Sequence, residues 1–310
     1  MRPLIAILGP TATGKTDLAM RLGEALDGEI INADALQVYR GLDIGTAKPS
    51  PELQAALPHH LIDVLDPEEP YSAGEFVRRA RPLIDQIRQR DRTPILVGGS
   101  GLYLRALLEG LSPIPASDPE TRQALERRRA KEGLAALYDE LCAVDPGTAR
   151  RLAPGDSQRI LRALEVALSS GRPLSSWIRQ RPLGSVPVDA VRIGLTLPRT
   201  ILYDRISGRV RDMIGMGWVE EVVALLESGC DPGAPAFQAI GYRQIVRYIH
   251  GEWSLESAAE DTIRATRRYA KRQMTWFRRE RNVRWISASD VEQEIPSLLE
   301  KLNRGGAVAR

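Results

Sequence analysis

Cysteine is scarce in this chain. Only Cys142 and Cys230 occur, far apart and outside any metal-binding spacing, which argues against a disulfide framework and a zinc site and makes a reducing cytoplasm the expected setting. Long hydrophobic runs are missing too. No stretch approaches the ~20 apolar residues of a membrane-spanning helix, so no membrane partner is expected. The apolar run at the N-terminus is too short for a signal peptide. Internal repeats and low-complexity tracts are absent. Charge is balanced: the formal net charge is +3 over 310 residues, so a nucleic-acid partner would have to be met by a local basic surface. What remains, 43% hydrophobic and 27% charged, suits a soluble globular protein of one large domain or two smaller ones.

The start of the chain is specific. Leu4–Leu8 is a short apolar run that predicts a buried strand, and Leu18, Leu22 and Leu26 then recur at helical spacing. Between them Gly9, Pro10, Thr11, Ala12, Thr13, Gly14, Lys15 and Thr16 fit G-x-x-x-x-G-K-[ST], the P-loop. Strand, glycine loop and helix N-terminus together aim backbone N–H groups and the positive end of a helix dipole at one point. That is a socket for phosphate or diphosphate. Lys15 would reach the phosphate oxygens and Thr16 would offer its hydroxyl to Mg²⁺. The loop does not say which phosphate.

Glu29–Asn32 and Pro94–Val97 read as further strands, and Asp17–Leu26 and Ala73–Gln89 as helices. This alternation predicts an α/β fold, a P-loop NTPase-like parallel sheet flanked by helices. Residues 116–189 read as an all-helical insertion domain within a core of 1–115 and 190–310. Its first helix opens on Asp118-Pro-Glu, an N-cap followed by proline; a second covers Gly133–Ala143. A third begins near Asp156, with Ile160, Leu161, Leu164 and Leu168 on its apolar side. Pro-, Gly- and Ser-rich punctuation follows between Gly171 and Pro187. Arg192–Thr196 resumes strand character, and the chain is then expected to end in helices.

Those last helices carry the densest charge. Within 264–284, Arg264, Arg267, Arg268, Lys271, Arg272, Arg278, Arg279, Arg281 and Arg284 face a single acidic residue, Glu280. Tyr269, Trp276, Phe277 and Trp285 are interleaved. One such residue reads as a solvated helix face or a core aromatic; the cluster suits a phosphate backbone and unstacked bases.

Chemistry-bearing residues follow the strands. Asp34 comes just after the second strand, where open α/β sheets place their ligands, and could hold Mg²⁺, accept a proton or cap the next helix. Gln37 has donor and acceptor atoms suited to a base edge. Val97-Gly-Gly-Ser100 leaves a hydroxyl after the third strand, among glycines that permit close approach. Lys48 could join the phosphate site or a surface pair. His59 and His60 have no metal pattern around them and read as structural hydrogen-bonders. Trp177, Trp218 and Trp253 read as packing residues.

With these residues in view, the chain resembles the tRNA dimethylallyltransferases (tRNA isopentenyltransferases). The motifs are Gly9-Pro-Thr-Ala-Thr-Gly-Lys-Thr16, Ala33-Asp34 with Gln37-Val-Tyr-Arg-Gly-Leu-Asp-Ile-Gly-Thr-Ala-Lys-Pro49, and Pro58-His-His-Leu-Ile-Asp63. Pro94-Ile-Leu-Val-Gly-Gly-Ser-Gly-Leu-Tyr-Leu104, Asp156-Ser-Gln-Arg-Ile-Leu-Arg-Ala-Leu-Glu-Val166, Ala239-Ile-Gly-Tyr242 and Arg268-Tyr-Ala-Lys-Arg-Gln-Met-Thr-Trp-Phe277 continue the family's order. The resemblance implies transfer of a dimethylallyl group from dimethylallyl diphosphate to N6 of adenosine-37 beside the tRNA anticodon. It implies that the P-loop grips the diphosphate, that Asp34 is the general base, and that Gln37 helps hold the adenine. Ser100, where the family more often has threonine, would contact the bridging oxygen; Arg209 would neutralise the departing diphosphate, with Arg205 and Arg211 as nearby alternatives. Ala35 and Leu36 stand where serine followed by methionine or arginine is common, and leave Asp34 and Gln37 in register. Arg122, with Gln158, Arg159 and Arg162 and the intervening Ile160 and Leu161, would grip the anticodon stem-loop. Mg²⁺ is the implied cofactor, and a monomer is expected because nothing demands a second subunit.

Two rival functions explain less. A P-loop kinase, with ATP in the socket and Asp34 deprotonating a hydroxyl, leaves the arginine-rich segments without a purpose. A non-catalytic RNA-binding module gives Asp34, Gln37 and Ser100 nothing to do.

Overall fold

Leu4–Leu8 forms β1, buried along its whole length, as expected of a parallel strand with helices over both faces. In the computed structural model, which describes residues 2–180 and 188–303, β1 leads into α1 (Lys15–Ala25), β2 (Gly28–Asn32) and α2 (Pro51–Ala56). The next elements are β3 (His59–His60), α3 (Ala73–Gln89), β4 (Thr93–Gly98) and α4 (Gly101–Glu109). Four helices follow: α5 (Pro119–Val144), α6 (Pro146–Ala149), α7 (Ser157–Ser170) and α8 (Leu174–Ile178). The chain continues with β5 (Ala190–Thr196), α9 (Arg199–Gly215), α10 (Trp218–Glu227) and a 3₁₀ turn at Pro235–Gln238. Last come α11 (Tyr242–Ile249), α12 (Leu255–Phe277), β6 (Val283–Ser287) and α13 (Val291–Asn303).

The six strands are all parallel, in the order β3-β2-β4-β1-β5-β6. The chain divides into two compact units, Met1–Leu108 with Val188–Arg310, and Glu109–Pro187. In the first unit, Ile5, Ile7, Leu18, Leu22, Ile95 and Ile193 form a core between the sheet and α1, with Leu298 of α13. A second cluster, including Val38, Leu42, Val210, Trp218, Phe237 and Tyr242, lies beneath α9–α11. The other unit has its own core, where Leu125, Leu137 and Leu141 of α5 meet Ile160, Leu161 and Leu164 of α7. Asp118 caps α5 and Pro119 opens it, while Gly133 (φ 85°, ψ 162°) breaks its helical path partway.

Two expectations need correction. The chain does not end in helices alone: Val283–Ser287 pairs with β5 and adds a sixth strand, so Arg284 and Trp285 lie on a strand rather than in a basic helix. Nor does the basic run face Glu280 alone. Arg264 pairs with Glu260 and Asp261, and Arg284 with Glu294. The part of the Gly171–Pro187 punctuation at 181–187 lies outside the described residues.

Candidate active site

The P-loop turns between β1 and α1 through two left-handed residues, Ala12 (φ 64°) and Gly14 (φ 84°). Gly14 occupies the N-cap without strain because it lacks a Cβ. Thr13 is buried and donates its hydroxyl to the Pro10 carbonyl at 2.9 Å. Lys15 Nζ donates to the same carbonyl at 2.8 Å. Gly9, Pro10 and Thr13 thus support the loop from behind, while Thr11, Ala12, Gly14, Lys15 and Thr16 line a cavity of about 440 Å³.

The same cavity is lined by Asp34 and Gln37 after β2, by Val97, Gly98 and Gly99 at the end of β4, and by Arg209 from α9. Asp34 Oδ1 accepts from the Leu36 N–H at 2.9 Å, and Asn32 Oδ1 accepts from the Asp34 N–H at 3.1 Å, so one bond fixes the carboxylate and the other fixes its backbone. Gln37 donates from Nε2 to the Thr46 and Ala47 carbonyls at 3.1 Å each. Ala35 and Leu36 lie partly buried between these two residues. Ser100 precedes α4, next to the lining Gly99, and is not itself among the residues that line the cavity.

Burial drives the electrostatics here. It pushes the Lys15 ammonium down to about 8, opposed by the charge of Asp34 and reinforced by that of Arg209. Burial likewise lowers Arg209, against the pull of Asp34 and Asp17. The Tyr269 phenol is pushed up to about 12, first by burial and then by Asp34. Two cations held together in a poorly solvated site favour an anion that restores their partners.

Several contributors were not legible from local spacing. Gln273, 6% exposed on α12, accepts from the Thr11 N–H and donates to the Gly99 carbonyl, both at 2.9 Å. It therefore ties the P-loop to the loop before α4. Lys48 lines the cavity, but its side chain is 4% exposed and its ammonium reaches the Tyr39 carbonyl, Asp43 and Asp63. It acts as a strut for its own loop. His60 Nε2 lies 2.6 Å from Glu29, which also receives Arg90, and His59 Nδ1 lies 2.7 Å from the Leu57 carbonyl. Trp218 is buried in the second core cluster, whereas Arg172 lies over Trp177 and Arg247 over Trp253.

A family model for IPP transferase matches residues 37–280. The chain belongs to the IPP transferase family. A tRNA dimethylallyltransferase of Geobacter sulfurreducens is 49% identical over 283 residues, 91% of each chain. The solved tRNA isopentenylpyrophosphate transferase of Staphylococcus epidermidis is similar in fold, with a TM-score of 0.71 and 36% identity, covering 98% of this chain and all of the other. A eukaryotic dimethylallyltransferase, solved acting on tRNA, gives a TM-score of 0.80 at 25% identity, covering 99% of this chain and 80% of that one.

This family member carries a second cavity, of about 550 Å³, within its helical unit. Arg122, Gln158, Arg159 and Arg162 line it together with Arg151. Glu165, 1% exposed, organises that wall: its Oε1 accepts from Ser117 Oγ at 2.6 Å, the Asp118 N–H at 2.8 Å and Arg162 at 2.8 Å. Ile160 and Leu161 are fully buried in the core of this unit, so their side chains seat α7 and do not line the cavity. On α12 and just beyond it, Arg268, Lys271, Arg278, Arg279 and Arg281 are exposed with no ion pair among the described residues. No described helix is long and apolar enough to cross a membrane.

Proposed function

We propose that this enzyme transfers a dimethylallyl group from dimethylallyl diphosphate to N6 of adenosine-37 in tRNA, releasing diphosphate. The observation that carries the reading is one cavity shared by a P-loop, a positioned carboxylate at Asp34 and two partly buried cations, Lys15 and Arg209. The N6 amine attacks the allylic carbon; the new C–N bond forms as the C–O bond to diphosphate breaks. Asp34 takes the N6 proton, which matters because the amine is a poor nucleophile. The leaving anion is received by Lys15, Arg209 and N–H groups of the loop, and the role that the resemblance implies for Ser100, contact with the bridging oxygen, requires its hydroxyl to turn towards the cavity that Gly99 lines.

Thr16 and Asp17 line the cavity, and no group of three or more His, Cys, Asp or Glu among the described residues could hold a metal alone. That donor set fits Mg²⁺, which takes few protein ligands and completes its shell from substrate phosphates and water. Thr16 would hold it, and when bound it supplies charge neutralisation at the diphosphate.

Adenosine in an anticodon loop must be flipped out to enter, which single-stranded recognition allows. The arginine-lined cavity of the helical unit and the exposed cations of α12 are the surfaces proposed to grip the anticodon stem-loop. The working unit is a single chain, and the tRNA acceptor places its work in the cytoplasm. The test incubates the protein, Mg²⁺ and labelled dimethylallyl diphosphate with a stem-loop bearing adenosine-37. Label in RNA supports the reading. ATP consumed with no label in RNA overturns it in favour of a kinase.

A further inference from the structure

The segment from Leu42 to Lys48 brings Thr46, Ala47 and Lys48 to the cavity but has no helix or strand of its own. It is held from behind by Glu221, in the first turn of α10. Glu221 Oε2 accepts the Asp43 N–H at 2.9 Å and the Ile44 N–H at 2.6 Å. Its Oε1 accepts the Gly45 N–H at 3.3 Å and the Tyr242 hydroxyl at 2.6 Å. Four donors converge on one carboxylate. Tyr242 is fully buried; burial, with the charge of Glu221 beside it, pushes its phenol far up, so the hydroxyl keeps its proton and donates. Trp218, three residues before Glu221, closes the joint. Its indole presses on Gly45 and Gly241, where a Cβ would fall 2.0 Å from the ring.

From the other end, Lys48 ties the segment to Tyr39 and Asp63 and bridges within it to Asp43. Between the two braces, the Thr46 and Ala47 carbonyls receive the Gln37 amide nitrogen. An amide whose nitrogen is bound in this way has its oxygen left to offer a ligand, and that oxygen only accepts. An exocyclic amine satisfies it, whereas a carbonyl at the same position meets like with like.

We propose that Glu221 is a positioning residue for acceptor-base recognition: through the backbone of 43–45 it fixes the Thr46 and Ala47 carbonyls that orient the Gln37 amide, and so selects a base bearing an exocyclic amine over one bearing a carbonyl. This rests on reading the cavity as the acceptor-base site. Glu221 itself touches no substrate.

The experiment uses the full chain with Glu221→Gln, Gln37→Ala and the double variant. Glu221→Gln keeps the shape but turns one oxygen into a donor facing donors. The expected result is an increase of about tenfold in KM for the adenosine stem-loop, the scale of one or two buried hydrogen bonds lost, with KM for dimethylallyl diphosphate unchanged. The same stem-loop bearing inosine, which has no N6 amine to accept label and so serves only as a competing ligand, should inhibit Glu221→Gln more strongly, relative to the adenosine stem-loop, than it inhibits the wild type. The double variant should be no worse than Gln37→Ala alone, because the two residues act along one path. Losses that multiply, or a KM for dimethylallyl diphosphate that rises in step, would overturn the inference. Amide exchange on the substrate-free chain gives an independent arm: faster exchange at 43–45 in Glu221→Gln supports the brace, and unchanged exchange overturns it. A wild-type chain that moves no label to RNA would refute the activity instead, and the exchange arm would still decide the brace.

Discussion

Lys15 is a partly buried ammonium with Asp34 and Arg209 as its charged neighbours, and its properties follow from that placement. Its value of about 8 lies below the ordinary 10.5. Between those values the unfolded chain holds a proton that the folded chain has released, so this group makes stability rise with pH across that window and penalises the fold below it. A diphosphate reverses the balance by restoring the charge. Above about pH 8, binding must therefore take up a proton, and the Kd for inorganic diphosphate should climb towards tenfold per pH unit. Calorimetry from pH 7 to 9.5 checks this, and proton uptake should vanish in Lys15→Met. A Kd flat across that range would contradict the assignment. Lys48 was open between ligand and surface pair because its partners, Tyr39 and Asp63, are joined to it by irregular backbone whose path no local spacing shows. Glu165 and Gln273 gave no local sign of their roles because each is defined by donors and acceptors brought in from other elements.

Elements were readable where their cues were local. The strand, glycine loop and helix around Gly9–Thr16, and the Asp118-Pro119 start of α5, each depend on residues within one or two turns. β6 was hidden because Val283–Ser287 is short and follows an arginine-dense helix, so its signal was absorbed into the charge run. β3 is two residues long and has no periodicity to detect. α12 braces the site from behind, since it presents Gln273 to both Thr11 and Gly99. Gln273→Ala should raise KM for dimethylallyl diphosphate by about 10- to 100-fold, the loss of two buried hydrogen bonds. Stem-loop affinity in a filter-binding assay should stay within twofold. Equal losses in both would mean that the helix, rather than the bridge, had been disturbed.

At the scale of the whole molecule, a net charge of only +3 must still hold an RNA. The binding term therefore has to come from local cations, and it must be sensitive to salt. Replacing Arg268 and Lys271 with Ala should weaken stem-loop binding and reduce the slope of log K against log salt by about 0.9 for each phosphate contact removed. An unchanged slope would place the RNA elsewhere. Under the proposed function, two substrates meet in one cavity and Asp34 takes the proton as they join. Single-turnover transfer of labelled dimethylallyl to the adenosine stem-loop by Asp34→Asn tests this most directly. The rate should fall by about 10²- to 10⁴-fold, with affinity for both substrates retained. Transfer at the wild-type rate would remove Asp34 as the base and contradict the mechanism.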